Sequence, residues 1–173
     1  MKGLPRSMSR GAPIRQEIIK QTIKVEDLAI TVTGGASTAV GTGTAVIGDF
    51  PEGNILFLGA IGYFSVAGSG ADDDIAADWE GDFSVGTVPN ANTTLSGTDV
   101  DILPSTALAA ATAEVSPRTR SANATAAMFD NTDGSLELNF NLLTDDDDVT
   151  DSTAVTMYIT GELTILYSVM ADD

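Results

Sequence analysis

The last third of the chain carries the two stretches that decide the fold, SLELNFNL at 135–142 and TAVTMYITGELTILYSV at 153–169. In both, apolar and polar residues alternate, which is the period of a β-strand with one buried face. A mostly polar stretch, LTDDDDVTDS at 143–152, separates them, so we predict an antiparallel hairpin with a hydrated loop. The residues predicted to face the core are Leu136, Leu138, Phe140, Leu142, Val155, Met157, Ile159, Leu163, Ile165 and Tyr167, and those predicted to lie on the opposite face are Ser135, Glu137, Asn139, Asn141, Thr156, Thr160, Glu162 and Thr164.

Strand patterns continue from this pair towards the N-terminus. ILFLGAIGYFSVA at 55–67 is apolar on both alternating faces and predicts a central strand covered on each side, in which Gly59 and Gly62 indicate a bulge or a close backbone approach. The alanine-rich stretch 106–115 fits either a short helix or a strand. Frequent turns between short strands predict an all-β fold, an antiparallel β-sandwich or jelly roll. The other predicted strands are LAITVT at 28–33, TAVGTGTAVI at 38–47, DFSVGTV at 82–88 and RTRSANATAAMF at 118–129.

Charge is divided unevenly along the 173 residues, whose net charge is −17. Residues 1–24 hold six cations and one acid, a balance of +5, whereas residues 25–173 hold two cations and 24 acids, a balance of −22. We therefore predict a basic, extended N-terminal arm, 1–24, followed by an acidic β-sandwich domain, 25–173. EIIKQTIKV at 17–25 could form a short helix or a strand, and we favour an arm that leads into a strand, with a disordered terminal tail as the alternative.

The cations are the residues that we predict to contact a partner, because they are scarce in so acidic a chain. Arg118 and Arg120, the only cations of the body, could pair with acids of a neighbouring subunit or form ordinary exposed ion pairs. The predicted partner-binding residues are Lys2, Arg6, Arg10, Arg15, Lys20, Lys24, Arg118 and Arg120.

The composition narrows the possible chemistry. The chain has no cysteine and no histidine, so it lacks thiol nucleophiles, zinc–thiolate ligands and the commonest general base. We expect no enzyme activity, no catalytic residue and no cofactor. A body this negative repels nucleic acid and anionic membrane surfaces, and no run of about 18 apolar residues predicts a membrane span, so neither is an expected partner.

Two groups of acids allow a functional alternative. Asp145 to Asp148 with Asp151 could hold calcium, but adjacent aspartates diverge and repel one another, so we predict a hydrated loop and no metal site. The acids between Asp72 and Asp82 flank Trp79, the only tryptophan, and could in principle form a glycosidase pair. We instead predict an acidic surface loop that Trp79 anchors to the core or to a neighbour.

The basic arm, the cysteine-free body rich in Ala, Gly and Thr, and the terminal AVTMYITGELTILYSV resemble the small head decoration, or cement, proteins of tailed bacteriophages, particularly marine ones. The likeness covers most of the chain and is best at 38–67 and 135–169. It implies a virion protein made in the host cytoplasm and bound to the outer surface of the capsid, where many copies lock adjacent major capsid protein subunits together. It also implies a homo-oligomer, a trimer or a dimer. A phage tail or collar component and a bacterial surface-layer or adhesive β module remain open alternatives.

Overall fold

A computed structural model describes residues 17–34, 40–69, 75–145, 148–149 and 154–170 of the chain. These segments form nine strands and one short 3₁₀ turn, Gly97–Asp99. The strands are β1 (Ile19–Thr33), β2 (Gly41–Asp49), β3 (Gly53–Gly68), β4 (Gly81–Gly86), β5 (Leu103–Leu108), β6 (Thr119–Asn123), β7 (Ala127–Asn131), β8 (Glu137–Thr144) and β9 (Ala154–Met170). In these segments no helix is both long and apolar enough to cross a membrane.

All nine strands belong to one antiparallel sheet with the order β5-β4-β8-β2-β1-β9-β3-β6, and β7 pairs with β3 beside β6. The two ends of the sheet approach each other, since the hydroxyl oxygens of Thr106 on β5 and Ser121 on β6 are 2.7 Å apart. The Asn123 amide also donates to the Asp101 carbonyl at 3.1 Å. The sheet is therefore curled into a nearly closed barrel, and the prediction of an all-β antiparallel fold is confirmed.

The interior of the barrel is one apolar cluster to which every strand except the small β6 contributes a buried or partly buried apolar residue. Phe83 and Phe140 stack with ring centroids 5.6 Å apart, and Phe64 lies 5.0 Å from Phe140 in an edge-on arrangement. Aromatic contact of this kind adds to the free energy gained by burial. The predicted core positions of β9, together with Leu138, Phe140 and Leu142, are buried, and Leu136 is partly buried.

The predicted hairpin between the last two long strands is wrong. β8 pairs with β2 and β4, whereas β9 pairs with β1 and β3, so two strands lie between them in the sheet. Alternation shows which face of a strand is buried, but it does not identify the neighbouring strand. The chain from Thr144 to Ala154 therefore connects distant strands of the sheet.

The predicted exposure of the polar face holds for Ser135 and Glu137 but is wrong for Asn139 and Asn141. Asn139 and Asn141 are buried, and the segment between β4 and β5 folds over Asn141. The Asn141 side chain accepts hydrogen bonds from the Asn90 N–H at 2.8 Å and the Thr44 hydroxyl at 3.0 Å. It donates to the carbonyls of Asp99 at 3.0 Å and Val88 at 3.3 Å, so one amide holds the covering segment in place.

Strand β3 has the bulge that its glycines predict. Its register against β9 shifts between Phe57 and Gly59, where Gly59 has a φ of 153°. A Cβ at Gly59 would lie 2.8 Å from the Asn123 carbonyl oxygen. β3 is an interior strand, paired with β9 on one side and with β6 and β7 on the other, but it lies near one end of the strand order, and its outer face is half-buried rather than covered.

The observed bounds of the strands decide two predictions, for 106–115 and for 118–129. The alanine-rich stretch contributes its first residues to β5 and is irregular afterwards. Residues 118–129 form β6 and β7 with a break at 124–126 rather than one strand.

Near the N-terminus, β1 begins at Ile19, so the boundary predicted after Lys24 falls inside a strand. Residues 1–16 lie outside the described residues, and the arm remains a prediction.

Candidate interaction face

Four of the eight predicted partner-binding cations lie within the described segments, and the strand order brings them together. The register places Lys24 of β1 opposite Glu162 of β9, Glu162 opposite Tyr63 of β3, and Tyr63 opposite Arg120 of β6. Side chains of residues directly opposite one another in an antiparallel sheet share a face. We call this outer surface, with Lys20, Lys24, Arg118 and Arg120 on it, the cationic face. Lys2, Arg6, Arg10 and Arg15 lie outside the described residues.

Arg118 makes two contacts on the cationic face. Its Nη2 lies 3.4 Å from Oε1 of Glu162, and its guanidinium carbon lies 5.5 Å from the centroid of the Tyr63 ring. The side chains of Arg118 and Glu162 are 54% and 41% exposed, so water screens the ion pair. Such exposed pairs contribute roughly 0–1 kcal/mol to stability. Arg118 forms an exposed ion pair, which is one of the two expectations. Because its charge still faces solvent, contact with acids of a neighbouring subunit remains a prediction.

An apolar groove of about 410 Å³ adjoins the cationic face. It crosses β9, β3 and the end of β6, at the β3 bulge and at the break between β6 and β7. Leu166, 41% exposed, opens into it, and Lys20 stands at its rim. The groove and the cations together form one outer surface on which apolar contact and positive charge are available side by side. Its other lining residues are Leu58, Gly59, Ala60, Ile61, Asn123, Ala124 and Thr164.

The cationic face contrasts with the rest of the described surface. Lys20, Lys24, Arg118 and Arg120 are all of the cations in the described segments, which also contain 17 carboxylates. The cationic face also holds Glu162 and, beside Lys24, Glu26, so cations remain in excess there, and a local excess of one sign produces a potential that differs from that of the whole molecule. Charge is therefore distributed unevenly over the surface of the body, although residues 25–173 carry a balance of −22.

Two acidic segments meet at one end of the barrel. The Ala76 N–H donates to the Asp148 carbonyl at 2.8 Å, and the Glu80 N–H donates to Oδ2 of Asp148, also at 2.8 Å. Partial burial raises the pKa of Asp148, and the nearby charges of Asp145, Asp78 and Glu80 raise it further. Burial and then Asp145 likewise raise the pKa of Asp82. Protonation of Asp82 or Asp148 would therefore relieve repulsion between the carboxylates at this end of the barrel.

Two of the five acids of the calcium alternative, Asp145 and Asp148, lie within the described residues. Asp146, Asp147 and Asp151 lie outside the described residues, and the described ones contain no group of three or more acids arranged to hold a metal ion. Asp145 is exposed, whereas Asp148 is half-buried and hydrogen-bonded to the backbone of the other segment. The hydrated loop therefore remains a prediction for the run as a whole.

Trp79 is an anchor, as predicted, and its partner is the core of its own chain. The side chain is fully buried, and its indole N–H donates to the Glu114 carbonyl at 2.9 Å. The Trp79 carbonyl also accepts from the Ala111 N–H at 2.9 Å. A buried indole offers no stacking surface to a sugar, which removes the aromatic element of the glycosidase alternative. Asp72, Asp73 and Asp74 lie outside the described residues.

No protein family and no curated protein sequence matches the chain. Among solved structures, one similar chain comes from the structure of infectious bursal disease virus Gx strain, with 12% identity, a TM-score of 0.36, and coverage of 87% of this chain and 33% of that one. Another comes from the crystal structure of the infectious bursal disease virus VP2 subviral particle, with 10% identity, a TM-score of 0.38, and coverage of 87% and 32%. The chain thus spans about a third of the length of either one. Both TM-scores lie below 0.5, so neither likeness identifies a function for this chain.

Proposed function

We propose that the protein is a structural component of a virion, a decoration or cement protein that binds the outer surface of a phage capsid and stabilises contacts between major capsid protein subunits. The observation that carries the proposal is the gathering of every described cation on one face of an otherwise acidic barrel. In this proposal the cationic face and the basic residues of the arm contact the shell. The acidic remainder of the body faces water.

The chemistry of the face defines the partner surface that fits it. Lys20, Lys24, Arg118 and Arg120 favour an acidic surface, and the apolar groove beside them favours a partner that also offers apolar side chains. Complementary charge accelerates association and selects the orientation, whereas apolar burial supplies most of the affinity. Negative charge over the rest of the body would keep decorated particles from sticking to one another.

The test is binding of the purified protein to undecorated capsid shells, measured by co-sedimentation. In the test variant Lys24, Arg118 and Arg120 are all changed to Gln. Each exposed charge contributes roughly 0.2–1 kcal/mol to a contact, so the three changes should weaken binding by about 3- to 150-fold. A steeper loss of wild-type binding as salt rises is the second expected result, because screening weakens exposed charge pairs.

The matched control changes the net charge by the same amount elsewhere. Asn92, Thr93 and Thr94 are exposed and lie in the segment between β4 and β5, and their replacement by Glu adds three negative charges, equal to the loss of three cations. This control should bind nearly as well as the wild type. Equal binding by the wild type and the triple-Gln variant, or absence of the protein from purified virions, would contradict the proposal.

A further inference from the structure

Strand β7 is an edge of the sheet that the described segments form. It pairs with β3 from Gly53↔Asn131 to Phe57↔Ala127, and among the described strands β3 is its only partner. A strand that is paired on one side presents unpaired N–H and C=O groups on the other. Such an edge can bind another extended strand through backbone hydrogen bonds.

The other two ends of the sheet are protected in ways that β7 is not. β5 and β6 face each other, are linked by the Thr106–Ser121 hydroxyl pair, and β5 contains Pro104, which cannot donate a ladder hydrogen bond. The sequence of β7, AMFDN, contains no proline and no lysine, the residues that most often block edges.

The side chains of β7 leave apolar area uncovered on both faces of the strand. Met128 is 56% exposed on the outer face. Phe129 points inwards, where its ring centroid lies 5.9 Å from that of Phe50 and 5.8 Å from that of Phe57, but it is only partly buried. A strand added at this edge would cover both side chains in addition to pairing the backbone.

We propose that β7 pairs with β7 of a second copy of this chain, antiparallel about a two-fold axis. The register that pairs all five residues sets Phe129 opposite Phe129 of the partner subunit and Met128 opposite Asp130 of the partner subunit. No like charges stand opposite each other in that register, and Phe129 meets its own copy, so a second β7 fits the edge without a charge clash. The inference is independent of the proposed function, because it concerns the protein alone and a surface other than the cationic face.

The β7 contact should depend on salt concentration in a characteristic direction. Two chains that each carry −17 repel one another, and salt screens that repulsion over a Debye length of about 10 Å at 0.1 M. The β7 contact uses backbone hydrogen bonds and apolar area, which salt does not weaken. The β7 dimer should therefore strengthen as salt rises, whereas binding through the cationic face should weaken, so failure of one proposal can be told from failure of the other.

The test compares two substitutions that remove the same exposed apolar side chain. Met128→Glu sets a carboxylate opposite Asp130 of the partner subunit, and the two-fold axis repeats the clash. Met128→Lys sets a cation there instead. A cross-strand pair of this kind changes stability by roughly 0.2–1 kcal/mol and occurs twice per dimer, so Met128→Glu should dimerise about 2- to 30-fold more weakly than Met128→Lys.

Sedimentation velocity over a range of protein and salt concentrations measures the dimer. Hydrogen exchange at 127–131 should slow as the protein concentration rises, which locates the contact. Unfolding in urea should show both variants folded, since Met128 lies on the surface. The proposal is overturned by a wild-type protein that stays monomeric at every concentration and salt, by a dimer that salt dissociates, or by equal effects of the two substitutions.

Discussion

Asn141 offers the sharpest test of how the barrel is held together, because one buried amide fixes the segment between β4 and β5. The change Asn141→Ala removes four hydrogen bonds, two accepted from Asn90 and Thr44 and two donated to Val88 and Asp99. Of these groups, the Asn90 N–H belongs to a buried residue and would lose its acceptor without gaining water. The Asp99 carbonyl keeps a second donor, the Ser84 hydroxyl at 2.6 Å.

The expected loss in the free energy of unfolding follows from these four hydrogen bonds. A net hydrogen bond contributes about 0.5–1.5 kcal/mol, and a buried donor left without a partner costs about 1–3 kcal/mol. We expect Asn141→Ala to lower the free energy of unfolding by about 3 kcal/mol. For a chain of this size that corresponds to a fall in Tm of about 6–12 °C.

Urea unfolding followed by the fluorescence of Trp79, the only tryptophan, measures the loss, because this indole is buried in the folded state. The control Thr44→Val removes only one of the four bonds, from an exposed residue, and should cost less than about 1 kcal/mol. Hydrogen exchange at Asn90 should accelerate in Asn141→Ala and not in the control. A loss no larger than that of Thr44→Val, or unchanged exchange at Asn90, would refute the role given to the amide.

Three further predictions concern other parts of the chain. The raised pKa values of Asp82 and Asp148 mean that the folded state binds protons more readily than the unfolded state, so their unfavourable contribution, present at neutral pH, should be relieved as pH falls through the raised values. Urea unfolding at several pH values should show a smaller gain on acidification in the variant Asp82→Asn/Asp148→Asn, and an unchanged gain would count against it. Gly59→Ala should lower the free energy of unfolding by at least about 1 kcal/mol, because of the positive φ and the Asn123 carbonyl, and a stability equal to wild type would show that the bulge tolerates a side chain. Deletion of 1–16 should leave Tm within about 2 °C of wild type, since β1 begins after it, and should weaken shell binding in co-sedimentation, whereas undiminished binding would remove the arm from the mechanism.

The sequence predicts most of the inner face of the barrel, because alternation reports burial directly. Val155, Met157 and Ile159 of β9 illustrate this, since each lies where the pattern places it. Pairing could not be read in the same way. The polar loop at 143–152 looks like a hairpin turn, yet β8 and β9 are separated by two strands, because neighbours are chosen by long-range packing that leaves no local pattern.

The outer faces were harder to predict than the inner ones for a related reason. Asn141 reads as a solvent-facing residue, but a segment distant in sequence covers it, and only the satisfied hydrogen bonds of the fold reveal this. The cationic face follows the same rule. Lys24 and Arg120 are about a hundred positions apart in sequence, and the order β1-β9-β3-β6 alone places them on one surface.

The central claim is that the cationic face holds the protein on a capsid shell. A cryo-electron microscopy map of the virion, with this chain located in it, tests the claim most directly. We predict density for the barrel on the outside of the head, with Lys24, Arg118 and Arg120 directed at acidic residues of the major capsid protein. A barrel whose cationic face points to solvent, or a head without this chain, would contradict the account.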